Sequence, residues 1–387
     1  MKNSKVIILI LTIGVFGILN TEMGFIGLIP EIAKHFNVST STAGWLVSAF
    51  AIGIAISGPI LPLLMSKFER KKVMVLVLTI FVISNIISVF TTSFAVLLIA
   101  RIIPAIFHPV YTALAFSVAA NTVEEKEAPK AVSRVFIGVS AGMVVGVPIV
   151  NFLASHFNLQ IALAFFAVIN VIVLVLTILF VPTMQPNETQ SYSTQLSVLK
   201  RPLTWISIIA ALVFNGAVFG VYSYLTDYLN TVTNMSGNLV AITLFLYGIS
   251  NIGGNILAGK LLTIIPKKTM LCLPFGLIIV YVLMFSFGSF LVPMLIITVL
   301  WGLLAGLNTN ITQFMVTDAA PDAPDLSNGI FLSSVNVGTT LGTFIGGLFI
   351  TTLGSNFVVC VGIIASVLNI LLIIIRHKHS QTPIISN

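Results

Sequence analysis

The chain has 387 residues, of which 57% are hydrophobic and only 7% charged, with a mean hydropathy of +1.11. A soluble domain carries about a quarter charged residues, so this composition excludes a soluble globule and indicates a polytopic membrane protein. The basic residues behind the formal net charge of +7 are concentrated in alternate loops, which argues against a nucleic-acid surface.

Apolar runs of about 20 residues mark helices that cross a bilayer. Twelve are predicted, over 6–29, 43–66, 73–91, 93–119, 132–154, 161–181, 203–227, 238–262, 269–290, 293–316, 329–352 and 356–375. The alternating polarity of a membrane β-barrel is absent, so the expected fold class is all-α. The first run follows Lys2 and Lys5 as a signal peptide would. It is too long for one and has no Ala-x-Ala site before Glu22 and Pro30, so it reads as a retained helix. Cys272 and Cys360 both fall within predicted spans and imply no disulfide framework.

Alternate loops, counted from the N-terminus, hold Lys2, Lys5, Lys67, Arg70, Lys71, Lys72, Lys126, Lys130, Arg134, Lys200, Arg201, Lys260, Lys267, Lys268, Arg376 and Lys378. The opposite side holds only Lys34, and Arg101 alone lies inside a span. This positive-inside bias predicts a multi-pass protein of the cell membrane with both termini cytoplasmic.

The polar stretch Pro182–Pro202 is the longest connection. It divides the chain into an N-terminal six-helix bundle (1–181), a cytoplasmic linker (182–202) and a C-terminal six-helix bundle (203–387) with a short tail. The halves echo each other at an offset of 196 residues: Gly138, Gly142 and Gly146 correspond to Ser334, Gly338 and Gly342, Lys71 and Lys72 to Lys267 and Lys268, and Glu31 to Asp227. Small residues at this spacing allow close helix approach, since lipid gives apolar side chains no reason to associate. Simple packing and a gating role both remain open for Gly142, Gly146, Gly338 and Gly342. Parallel six-helix repeats suit a transporter with a central site.

Three stretches carry a family resemblance. They are "NTEMGFIGLIPEIAKHF" (Asn20–Phe36), "ARIIPAIFHPVY" (Ala100–Tyr111) and "GMVVGVPIV" (Gly142–Val150). With the repeat, they resemble the major facilitator superfamily over the whole chain, and within it the twelve-helix drug:proton antiporters of the sugar-efflux (arabinose-efflux-like) branch. The third stretch is similar to the antiporter Gly-x-Pro motif, which implies a conformational role for Pro148. The superfamily's loop 2–3 signature survives only at its basic end, in "LLMSKFERKK" (Leu63–Lys72), and Leu159 and Gln160 replace the common Trp-Arg pair.

Glu22 is the one acidic residue deep in a span. It precedes Glu31 by nine residues, roughly 13 Å of helix, which places it near mid-membrane. On the fourth helix Arg101 falls at nearly the same depth, and His108 follows seven residues, about two turns, further along the same face, with Pro104 and Ala105 between them. Such residues are costly unless paired. Glu22 is therefore expected to carry a proton, with Arg101 as its partner and His108 as a relay. Burial favours the protonated carboxyl and a nearby guanidinium favours the carboxylate, so small movements would switch the proton. A permanent ion pair that only fixes packing is the alternative.

The second half has Val218 at the Glu22-equivalent position and offers amides and aromatics instead. Asn215 and Tyr222 share a face of the seventh helix. Tyr247, Asn251 and Asn255 line the eighth, and Trp301 and Asn308 the tenth. Together with Phe25 and Asn20 on the first helix, Asn215, Tyr222, Asn251, Trp301 and Asn308 are the substrate-binding candidates, of a kind suited to a mixed polar and apolar solute. For any single Asn, packing between helices is an equal reading. Loop 10–11 carries Asp318, Asp322 and Asp325, and loop 2–3 carries Lys71 and Lys72. They are expected to form a cytoplasmic latch, or else to be solvated charges serving topology.

No Gly-x-x-x-x-Gly-Lys-Ser/Thr stretch is present, so the proton gradient rather than ATP is the expected energy source, with no cofactor. No metal-binding Cys/His cluster or His-Glu-x-x-His is present, and the expectation is a transporter, not an enzyme. The expected function is proton-coupled export of sugars or drug-like compounds by alternating access, with small-molecule substrate, protons and bilayer as partners and the monomer as the working form. A multidrug exporter of lipophilic cations and a membrane sensor without transport are the alternatives.

Overall fold

A computed structural model describes residues 2–184 and 192–381. Among the described residues there is no strand, and eleven helices are long and apolar enough to cross a membrane. The helices are α1 (Lys2–His35), α2 (Thr40–Ser57), α3 (Arg70–Phe90), α4 (Phe94–Asn121), α5, α6 (Leu159–Phe180), α7 (Pro202–Tyr222), α8 (Gly237–Ile264), α9 (Pro266–Phe287), α10 (Leu291–Ala319), α11 (Pro324–Leu353) and α12 (Val359–Gln381). The fifth, α5, runs as Ala128–Ala141, a π-turn Gly142–Gly146, and Val147–His156. The chain divides into two compact units, one ending at Ser191 and the other beginning at Tyr192. Of the predicted linker 182–202, residues 185–191 lie outside the described residues, as do 382–387 of the predicted tail. Tyr192–Ser197 and Val198–Lys200 form short helical turns.

Two predicted spans are broken. The span over 43–66 is α2 followed by the single turn Leu61–Met65, because Pro59 offers no N–H and its ring clashes with the preceding turn. This leaves the second helix the shortest of the set, Thr42–Ser57 by apolar length. The span over 203–227 is α7 followed by Leu225–Thr231. At that break Ser223 Oγ lies 2.8 Å from Thr343 Oγ1, and the Tyr224 hydroxyl donates to the Thr343 carbonyl at 2.9 Å. The π-turn in α5 also has a local cause. Pro148 removes the N–H that an α-helix would direct at residue 144, and the backbone widens just before it.

The small-residue stripes lie where helices touch. In the first unit a Cβ at Gly138 would collide with the Thr12 carbonyl, one at Gly142 would come 3.0 Å from Leu19 Cβ, and one at Gly146 would collide with the Asn20 amide. In the second unit Gly338 lies on the Leu212 carbonyl and Gly342 on Gly216. Both units therefore press a glycine face of α5 or α11 onto α1 or α7. Gly342→Leu should be the more damaging test, because its neighbour is backbone and cannot rotate away. Overpacking of this kind costs about 1–3 kcal/mol or more, and the expected result is a lower melting temperature and loss of the monodisperse peak in detergent.

A second device recurs at the same offset. Asn85 Nδ2 on α3 donates to Thr21 Oγ1 on α1 at 3.3 Å, and the Tyr281 hydroxyl on α9 donates to the Ala217 carbonyl on α7 at 2.7 Å. In the first unit Asn170 Nδ2 on α6 joins, at 3.0 Å from Thr21 Oγ1 and 2.9 Å from the Phe166 carbonyl. Hydrogen bonds replace the hydrophobic effect as the glue between such helices. Outward faces carry Ile83, Phe90, Ile279 and Phe285, as contact with lipid requires.

Candidate functional site

In the first unit α1 and α4 bring three ionisable side chains together, and α2 adds the ring of Phe50. Glu22 Oε2 stands 3.0 Å from His108 Nε2, within ion-pair distance though without a hydrogen bond of regular geometry. The side chains are 12% and 4% exposed, so both sit where an unpaired charge is expensive. His108 is positioned in turn by Phe50, whose ring meets the imidazole edge-on at 6.0 Å.

Arg101 does not pair with the Glu22 carboxylate. Its Nη1 donates to the Thr21 carbonyl at 2.8 Å and its Nη2 to the Glu22 carbonyl at 3.3 Å. The guanidinium carbon lies 3.9 Å from the Phe25 ring centre and 4.2 Å from that of Phe50, a cation held between two aromatic faces. The expected partnership is thus corrected in one respect: Arg101 reaches residue 22 through its main chain, and His108 takes the carboxylate. The reason is directional. Backbone carbonyls of α1 point along the helix axis, and the planar fork of arginine spans two successive ones, while the carboxylate leaves the axis sideways. Phe25 is fully buried between Arg101 and Phe166, on which it stacks at 5.4 Å, so in this conformation it packs within this cage.

Asn20 is also fully buried, over Gly146, and neither amide atom has a protein partner. In this conformation it is closed to a solute.

In the second unit the aromatic candidates converge. Tyr222, half-buried, stacks on Tyr247 at 4.7 Å, and Trp301 meets both edge-on at 6.2 and 5.2 Å. Trp301 is fully buried and donates through Nε1 to the Tyr281 hydroxyl at 3.1 Å. Tyr222 is thus the presenting face of a platform whose other members brace it. The amides behave differently. Asn215 turns back onto the Ala211 carbonyl at 2.8 Å, a packing arrangement. Asn251 accepts from Asn255 at 3.4 Å, and Asn255 accepts from Asn310 at 2.7 Å, which ties α8 to α10. Asn308 is buried, with Oδ1 unpaired.

Comparison with known proteins places this architecture. The model of the Major Facilitator Superfamily matches residues 11–324. This chain belongs to that superfamily. It is 29% identical over 387 residues to the inner membrane transport protein YdhP of Escherichia coli K12, covering 98% of each chain. It is 28% identical to a probable sugar efflux transporter of Helicobacter pylori strain G27, covering 88% of each. Its fold is similar to the crystal structure of the E. coli fucose:proton symporter FucP, with a TM-score of 0.78 and 16% identity over 98% of this chain and 99% of that one. The protein is a multi-pass membrane transporter of the superfamily, whose members move small molecules rather than catalyse reactions.

Four of the five charges expected to form the cytoplasmic latch have partners inside their own unit. Lys71 Nζ donates to the Ile178 carbonyl at the end of α6, at 2.9 Å, and Lys72 lies 4.0 Å from Glu69. Asp318 pairs with Arg376 at 2.7 Å, and Asp322 pairs with Arg201. Asp325 is buried in the first turn of α11 rather than exposed in a loop. Arg376, counted in the sequence as a tail charge, is 4% exposed and also binds Ser207 Oγ at 2.9 Å and the Met315 carbonyl at 3.1 Å. It ties α7, α10 and α12 together. Arg376→Ala should lower the unit's thermal stability by about 1–3 kcal/mol, less than a wholly buried pair because Asp318 is half exposed. A melting curve unchanged from wild type would refute that clamp.

Phe50, Thr21, Asn85, Asn170 and Tyr281 were not marked by the sequence. The 196-residue offset, extended from the glycines to polar residues, relates Asn85 to Tyr281 and would have found two of them.

Proposed function

We propose that this transporter is a proton-coupled exporter of small solutes, working by alternating access in the cell membrane with both termini cytoplasmic. The observation that carries the reading is the buried Glu22–His108 pair at 3.0 Å. A carboxyl and an imidazole at that distance can hold one proton between them, and a solute or conformational change that separates them changes which one keeps it. Arg101 holds the backbone of residues 21 and 22 and thereby the height of the carboxylate. The energy source is the proton gradient, with no bound cofactor, and one chain suffices as the working unit.

The Tyr222–Tyr247–Trp301 platform supports a solute with an apolar ring face, which sugars and drug-like compounds share. The same aromatic surface would also hold a lipophilic cation by cation–π attraction, and this is the competing substrate class. Proteoliposome transport under an imposed pH gradient, screened over sugars and cationic dyes, tests both. Accumulation against a gradient that collapses with an uncoupler is the expected result. Solute flux insensitive to the pH gradient for every compound transported would remove the proton-coupled reading.

A further inference from the structure

An arginine and a carboxylate that meet away from water can form two parallel, charge-assisted hydrogen bonds, among the strongest contacts between side chains. In the first unit that contact is not made. Arg101 directs Nη1 and Nη2 at the Thr21 and Glu22 carbonyls, and its Nε is buried without a partner. Nη2 already lies 3.3 Å from the main-chain oxygen of the residue that carries the carboxylate. The rings that touch the guanidinium are those of Phe25 and Phe50.

Of the two, Phe50 also meets His108. It is 1% exposed and comes from α2, a helix with no ionisable residue. α2 crosses α4 closely, since a Cβ on Gly53 would come 3.0 Å from Ala105 Cβ and 3.6 Å from its carbonyl carbon. Gly53 follows Phe50 by three residues, and Ala105 stands four after Arg101 and three before His108. The crossing therefore sets the Phe50 ring level with the interval between them. The guanidinium carbon sits 4.2 Å from the ring centre, and the imidazole meets the ring edge-on at 6.0 Å. One side chain fixes both.

We propose that Phe50 is a positioning residue that keeps Glu22 protonatable, by holding Arg101 on the backbone and leaving the carboxylate to His108. This rests on the proton-coupled reading above. Without the ring, the guanidinium gains more from the carboxylate than from two neutral carbonyls, and a carboxylate held in that fork resists a proton. Among the described residues no further charge competes for the place. Of the helices packed on α1, α2 and α6 carry no ionisable side chain. α3 and α5 carry theirs near their ends, as Arg70, Lys71 and Lys72 and as Lys130, Arg134 and His156. α4 adds only Tyr111, which lies against Gly14, about two turns from Glu22.

The test is infrared spectroscopy of the purified full-length protein, in which the protonated Glu22 carboxyl is recognised by its loss in Glu22→Gln. Phe50→Leu removes the ring, Phe50→Met removes it while filling more of its volume, and Phe50→Tyr keeps it. At a pH where wild type shows the protonated band, the band should fall severalfold in Phe50→Leu and Phe50→Met and stay in Phe50→Tyr. In an Arg101→Gln background Phe50→Leu should leave it unchanged, because the guanidinium that would capture the carboxylate is gone. In proteoliposomes the two ringless variants should slow uphill transport by about tenfold or more, with counterflow near the wild-type rate. An undiminished band in both ringless variants would overturn the proposal, as would an equal loss in the Arg101→Gln background, or a wild type with no protonated band at any pH at which it stays folded. If the band responds as expected but wild-type transport ignores the pH gradient, the role of the ring stands and the proton-coupled reading fails.

Discussion

Glu22→Gln is expected to fold and insert like wild type yet lose uphill, proton-driven transport by about a hundredfold or more. The amide has the carboxylate's shape and can still meet His108 Nε2, 3.0 Å away in the wild-type chain, so the packing of α1 on α4 is kept. It cannot take up and release a proton. Counterflow, in which solute exchanges for solute without net proton movement, should survive. Reconstituted protein assayed both ways separates the two outcomes. Uphill export at the wild-type rate by Glu22→Gln would end the assignment of this carboxylate as the carrier.

Arg101→Lys should be nearly as damaging, despite conserving charge. The guanidinium serves the Thr21 and Glu22 carbonyls together and lies flat between Phe25 and Phe50. An ammonium is a compact point charge that reaches one carbonyl and gains less from the ring faces. Transport is expected to fall about tenfold or more through mispositioning of residue 22, with a measurable drop in melting temperature. The pH–activity profile distinguishes the charge from the fork. It should keep its shape in Arg101→Lys and be displaced in Arg101→Ala, which also removes the cation. Identical profiles for wild type and Arg101→Ala would mean that the guanidinium has no electrical influence on the proton site.

The helical architecture was legible from composition and apolar run length because the bilayer leaves so few alternatives. Breaks at Pro59 and at Ser223–Tyr224 were not, since neither lowers the hydropathy of its run enough to end it. Glu22, Arg101 and His108 were found by depth along two helices, a one-dimensional measure. Which group contacts which depends on side-chain direction, which depth does not supply: the aromatic cage holds Arg101 on the backbone carbonyls, and the side chain nearest the carboxylate is His108. The partners of the loop charges within each unit were not legible for a related reason. Asp318 read as a loop charge and Arg376 as a cytoplasmic tail charge, but α7, α10 and α12 converge there and bury the arginine. In the second unit Tyr222, Tyr247 and Trp301 from three helices meet in one aromatic cluster, while Asn215 turns its amide onto its own helix and Asn255 accepts across to Asn310. An asparagine stripe cannot by itself distinguish a lining from a seam.

The most direct measurement is proton release on solute binding by purified protein in a weakly buffered solution containing a pH indicator. Wild type should release protons saturably as a solute identified by transport is added, and Glu22→Gln should bind the same solute with no release. Equal release from both proteins, or saturable binding to wild type with none, would contradict exchange of solute for a proton held at the Glu22–His108 pair.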